Sequence, residues 1–122
     1  MQDTEQYDTV ADFFDNWTVQ VRKGVLELCI LNALQEGECY GYALVKQLVA
    51  IPGLHVAEGT IYPLLARLRQ QGLVATRLEE SPDGPARKYY KITGNGEKER
   101  SRMNAYYSEL GGALETLATP IP

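Results

Sequence analysis

At residue 74 the periodicity of this sequence changes, and that change limits the folds open to it. Upstream, apolar residues recur every three or four positions, the spacing of one helix face. From Val74 the repeat is two: Val74, Thr76 and Leu78 alternate with Ala75, Arg77 and Glu79. The turn-forming string SPDGPA follows. RKYYKIT then runs back with Lys88, Tyr90 and Ile92 on one face and Arg87, Tyr89 and Lys91 on the other. After Gly94-Asn95-Gly96 the helical period returns in Met103, Tyr106, Tyr107, Leu110, Leu114 and Leu117. A tight antiparallel hairpin set between helices predicts a mainly α chain with a small β-hairpin.

Four helical stretches precede the hairpin. Val10, Phe13, Phe14, Trp17 and Val21 form an apolar stripe with acids on the opposite face. Val25, Leu28, Cys29, Leu31 and Leu34 mark a second helix, ended by Gly37. Tyr42, Val45, Leu48 and Val49 mark a third, stopped at Pro52-Gly53. The fourth lies in EGTIYPLLARLRQQG. Thr60 as its N-cap sets Pro63 in the first turn, whereas a start at Glu58 sets Pro63 inside and bends the helix. Three compact helices followed by a two-stranded hairpin make a winged helix-turn-helix. The chain thus divides into an acidic amphipathic helix over 1–20, the winged domain over 21–94 and a last helix over 95–122, a dimerisation element.

Charge is unevenly spread. Asp3, Glu5, Asp8, Asp12 and Asp15 fall in the first 20 residues without a base, leaving 11 of the 16 acids to face all 12 bases. The acidity belongs to the extension, and the hairpin arm GPARKYYKIT carries only cations. Other function classes find little support. One histidine, His55, and two cysteines, Cys29 and Cys39, without CxxC spacing offer no metal cluster, no Ser-His-Asp set and no cofactor site. No apolar run approaches bilayer length and the N-terminus is unlike a signal peptide, so the cytoplasm is the expected compartment and no membrane partner is expected.

On a helical wheel Ile61, Leu64, Leu65 and Leu68 face the core. The opposite side collects Gly59, Pro63, Ala66 and Gln70, flanked by Tyr62 and Arg67. Small residues allow close approach to another surface; Arg67 suits guanine or phosphate, Gln70 suits adenine and Tyr62 suits phosphate. Arg87, Lys88 and Lys91 then meet phosphates from the hairpin, with Gly84 permitting close approach at its tip. The expectation is a double-stranded DNA operator as partner. The extension stripe of Phe13, Phe14 and Trp17 must bury either against the body of its own chain or across a homodimer, where it would meet Tyr106, Leu110, Leu114 and Leu117 of the partner. Trp17 is also the candidate lining of a small-molecule effector cavity. A winged-helix protein-interaction module without DNA binding is the alternative.

The strings KGVLELCILNAL, YGYALVKQL, GTIYPLLARLRQQGLV and GPARKYYKIT, in this order, resemble the PadR family of bacterial transcriptional regulators over about residues 22–96. The resemblance implies a homodimeric winged helix-turn-helix, and the chain, which offers no nucleophile–base pair, metal cluster or phosphate-cradling loop, is not expected to be an enzyme. The resemblance further implies a repressor on near-palindromic operators, released by a small phenolic or drug-like ligand. It carries Tyr40, Gly41 and Tyr42 to the start of the second helix, near the DNA backbone. It likewise carries Gly59, Thr60, Tyr62 and Pro63 to the recognition helix, and Gly84, Arg87 and Lys88 to the wing. The short C-terminal helix resembles the smaller branch of the family, and the acidic extension departs from its pattern.

Overall fold

The structure, a computed structural model, describes residues 10–121. Asp3, Glu5 and Asp8 of the acidic extension lie outside them, and so does the side chain of Val10. The first element is a single helix, α1 (Val10–Ala33), of 24 residues. The two helices expected on either side of residue 20 are therefore one. Gly24 is the only weak helix former between them, and its penalty of about 1 kcal/mol relative to Ala does not break a run with good formers on both sides.

Only the C-terminal part of α1 enters the core. Leu26, Ile30 and Leu31, with Leu34 just past the helix end, are buried. Against them pack Leu44, Val45 and Leu48 of α2 (Gly41–Ala50) and Ile61, Leu65 and Leu68 of α3 (Glu58–Gln70). Each fully buried side chain of this size contributes about 1.5–3 kcal/mol over its exposed state. Val74 of β2 (Val74–Ser81) and Tyr90 of β3 (Gly84–Ile92) close the remaining side. Ile92 packs beside Tyr90, as the alternation predicted, and half-buried Cys29 has its thiol pushed up by burial.

The sheet has a strand that the sequence did not disclose. β1 (Cys39–Tyr40) has two residues, too few to show a period. It pairs with β3, giving the antiparallel order β1-β3-β2 with Cys39 opposite Tyr90 and Tyr40 opposite Tyr89. β2 and β3 run from Val74 opposite Ile92 to Ser81 opposite Gly84 around the turn residues Pro82 and Asp83, with an irregularity between Glu79 and Ser81. There β3 holds one residue more than β2, and Pro85, which has no N–H for a ladder, falls in that stretch.

The end of α3 and the start of the last helix share one joint. Gly72 adopts φ +76 and closes α3 with paired turns, Leu73 N–H to the Leu68 carbonyl at 2.9 Å and Gly72 N–H to the Arg69 carbonyl at 3.0 Å. Thr93 donates its hydroxyl to the Gly72 carbonyl at 2.7 Å. It also caps α4 (Gly94–Ala118) by accepting from Gly96 N–H at 3.0 Å. Gly96 is buried, and a Cβ there would collide with the Leu73 carbonyl oxygen. Farther along α4, Asn104 pairs with Asn32 of α1. Beyond that point the α4 side chains are mostly exposed, and Gly111 and Gly112 lie within an unbroken helix. No described helix is long and apolar enough to cross a membrane.

Candidate nucleic-acid interface

α3 begins at Glu58, with Ala57 as N-cap and no side-chain cap. Thr60 is thus not the cap expected from the sequence. Its N–H is instead satisfied by the Ala57 carbonyl at 3.1 Å, a tightened first turn. Pro63 lies inside the helix, where it donates no bond to the Gly59 carbonyl. Gly59, Pro63, Ala66 and Gln70 form an exposed ridge opposite Ile61, Leu65 and Leu68. Tyr62 stands beside the ridge on the side of the sheet, where it and Arg69 act electrostatically on the Tyr90 phenol. Burial pushes that phenol up first, Tyr62 adds to the shift and Arg69 opposes it.

The two arginines of the last turn have different roles. Arg67, expected to flank the ridge, pairs with Glu27 of α1 at 3.3 Å while its side chain stays largely exposed. It lines a polar recess with Gln71, Asn95 and Lys98, facing α1 and α4. Position 67 sits at the edge of the ridge on the wheel, so a neighbouring carboxylate decides its direction. Arg69, absent from the expected set, is exposed and forms no ion pair among the described residues.

A ladder of rings and cations covers the outer face of the sheet. Arg77 donates from Nε and Nη2 to the two oxygens of Glu38, both at 2.7 Å, and from Nη1 to Glu79 at 2.9 Å. Its guanidinium carbon lies 4.7 Å from the Tyr89 ring centre. Tyr89 meets Tyr40 at 5.6 Å, and Arg87 sits 5.2 Å over the other side of this cluster, on the Tyr40 ring. Tyr40 also meets Tyr42 at 6.1 Å, and Lys46 lies 5.3 Å over Tyr42. Each contact is within the range of a cation–π or aromatic pair. Hydrogen bonding from Arg77 holds the Glu38 carboxyl below the usual carboxylate range, aided by the charges of Arg77 and Lys91 and opposed by desolvation. Glu38 and Glu79 in turn push Arg77 above its already high value.

The wing cations are therefore less free than the sequence suggested. Lys91 shares the field of Glu38. Arg87 stands opposite Glu79 in register, although that carboxylate is bound to Arg77. Lys88 is exposed opposite Leu78, past the end of the core. Gly84 is exposed at the start of β3 with no left-handed φ, so its backbone freedom is not used. Glu38, Lys46, Arg69, Arg77 and Tyr89 were missing from the sequence-derived site. Hairpin register alone sets Arg77 opposite Tyr89, but nothing in the string connects Glu38 to either.

A second surface lies away from the ridge. Phe13, Phe14 and Trp17 of α1, and Tyr106, Leu110, Leu114 and Leu117 of α4, are all exposed. Phe14 stacks on Trp17 at 6.0 Å. Trp17 lines a mostly apolar groove of about 780 Å³ together with Tyr106, Leu110 and Leu114 of its own chain. Trp17 thus faces the α4 stripe of its own chain across this groove, and the side chains on both rims stay exposed.

Comparison with known proteins agrees with this geometry. The sequence profile described as "Transcriptional regulator PadR-like family" matches residues 30–102. The chain is 31% identical over 102 residues to Transcriptional regulator Rv3488 of Mycobacterium tuberculosis, covering 84% of this chain and 87% of that one. Among solved structures it is similar to a PadR family transcriptional regulator from Eggerthella lenta, with TM-score 0.80 and 32% identity over 91% of this chain and 96% of that one. It is also similar to Bacillus subtilis PadR in complex with operator DNA, with TM-score 0.59 and 27% identity, covering 65% of this chain and 46% of that one.

Proposed function

The chain belongs to the PadR family of transcriptional regulators, and from that premise we propose that it is a cytoplasmic repressor binding operator DNA as a homodimer. The observation that supports this reading best is the exposed small-residue ridge of α3. That ridge is flanked by Tyr62 and Arg69, and β1, α2 and β3 add a second set of rings and cations in Tyr40, Tyr42, Lys46 and Arg87. A ridge of Gly59, Pro63, Ala66 and Gln70 enters a major groove closely, with Gln70 suited to an adenine edge. Arg69, Arg87 and Lys88 answer phosphates on either side, while Arg67 stays with Glu27.

A second copy covers the apolar surface of α1 and α4 in this reading, joining two ridges into a unit for half-sites about one helical turn apart. The groove at Trp17, about 780 Å³, has the size of a small-ligand pocket and takes a small aromatic inducer. Fluorescence anisotropy with operator fragments selected from genomic DNA tests the whole. Arg87→Ala and Lys88→Ala are expected to weaken operator and random duplex alike and to flatten the salt slope by about 1 per cation removed. Gln70→Ala is expected to reduce the preference for operator over random duplex. Absence of selective duplex binding even at low salt overturns the reading, and leaves a protein-interaction module in its place.

A further inference from the structure

We propose that Glu38 and Arg77 are positioning residues for the wing, so that a carboxylate beside the DNA face strengthens binding to a polyanion. The proposal rests on the DNA-binding reading above. Its basis is the way the three strands are connected. β1 and β2 are the outer strands of the sheet and do not pair with each other. β1 itself meets β3 in only two residue pairs, Cys39 with Tyr90 and Tyr40 with Tyr89. The Glu38–Arg77 pair bridges from the residue before β1 to the middle of β2, over Tyr89 of the central strand. It is the only ion pair between those two segments among the described residues.

All three nitrogens of the Arg77 guanidinium are engaged by carboxylates, and two carboxylates offset its charge, so it has little left to offer a phosphate. What it holds is Tyr89, and through Tyr89 the Tyr40 ring on which Arg87 rests. Glu38 thereby fixes the platform that aims Arg87, and with it the angle of the wing to α2, whose N-cap is Tyr40. Charge alone predicts the opposite: an acid close to a phosphate surface repels it, and removing the acid should tighten binding.

The test measures operator affinity and salt dependence of the full chain by fluorescence anisotropy for wild type, Glu38→Gln, Arg77→Lys, Arg87→Ala and the Glu38→Gln/Arg87→Ala double variant. Glu38→Gln is expected to weaken binding about tenfold, with no flattening of the salt slope because no phosphate contact is lost. Arg77→Lys keeps the charge but loses the planar two-point contact and the stacking, and is expected to weaken binding similarly. In the Arg87→Ala background the Glu38→Gln loss is expected to vanish, because the residue being aimed is gone. Thermal midpoints within a few degrees of wild type separate positioning from unfolding. Unchanged or tighter binding by Glu38→Gln, unchanged binding by Arg77→Lys, or additive losses in the double variant overturns the proposal. A wild-type protein without duplex affinity overturns the DNA-binding reading itself, and the proposal with it.

Discussion

Asn32 of α1 and Asn104 of α4 exchange two amide hydrogen bonds, at 3.1 and 2.9 Å, and Arg100 adds a third to the Asn32 oxygen at 3.1 Å. This part-buried contact ties the middle of α4 to α1. Asn32→Leu strands the Asn104 amide and is expected to destabilise the fold by about 1–3 kcal/mol. Urea unfolding monitored by circular dichroism reads the loss as a lower midpoint at unchanged slope. The Asn32→Leu/Asn104→Leu double variant is expected to recover part of it, since no amide is then left unpaired.

Two glycines of α4 are expected to respond in opposite ways to the same change. Gly96→Ala drives a methyl group into the Leu73 carbonyl and should cost several kcal/mol or prevent folding, because the joint at Thr93 cannot widen without losing its bonds. Gly111→Ala meets nothing within 4 Å and should stabilise the helix by up to about 1 kcal/mol. Thermal melts of both proteins under one buffer decide the matter.

Leu110 and Leu114 are exposed on the α4 stripe that a second copy is proposed to cover. Leu110→Glu/Leu114→Glu should yield a monomer with the circular dichroism spectrum of the wild type. Light scattering after size exclusion is expected to show half the wild-type mass, and operator affinity should fall at least tenfold as the two half-sites uncouple.

Proton linkage at Glu38 has a defined sign. Its carboxyl is held below its ordinary value of 4.5 by Arg77, so the folded state binds this proton less readily than the unfolded one. The clamp is therefore complete above pH 4.5 and is lost as pH falls through the lower folded value. Carbon-detected NMR of the side-chain carboxyl should place the Glu38 midpoint under 4.5, and Arg77→Leu should bring it back up.

The sequence displayed the core and withheld much of the contact surface, for a physical reason. Apolar periodicity marks which face is buried, so Ile61, Leu65, Leu68 and Tyr90 were legible residue by residue. The exposed ridge followed by subtraction. The direction of a long cation does not follow from periodicity, because a distant carboxylate sets it. Glu27, 40 positions away in the chain, captures Arg67, and Glu38 captures Arg77 at similar remove. Arg69 lies no farther outward on the wheel than Arg67, so periodicity does not single it out. β1 escaped because two residues have no period, and the break expected near residue 20 had no proline or turn to enforce it.

The unbroken course of α1 makes it a lever. Trp17 stands about 21 Å along the shaft from Leu31, at 1.5 Å per residue, so a tilt of about 10° about that fulcrum sweeps the indole by roughly 4 Å. The same tilt turns the segment of α1 that rests on α3. A push strong enough to tilt α1 as a rigid rod would thus move the ridge by a smaller distance than it moves the indole.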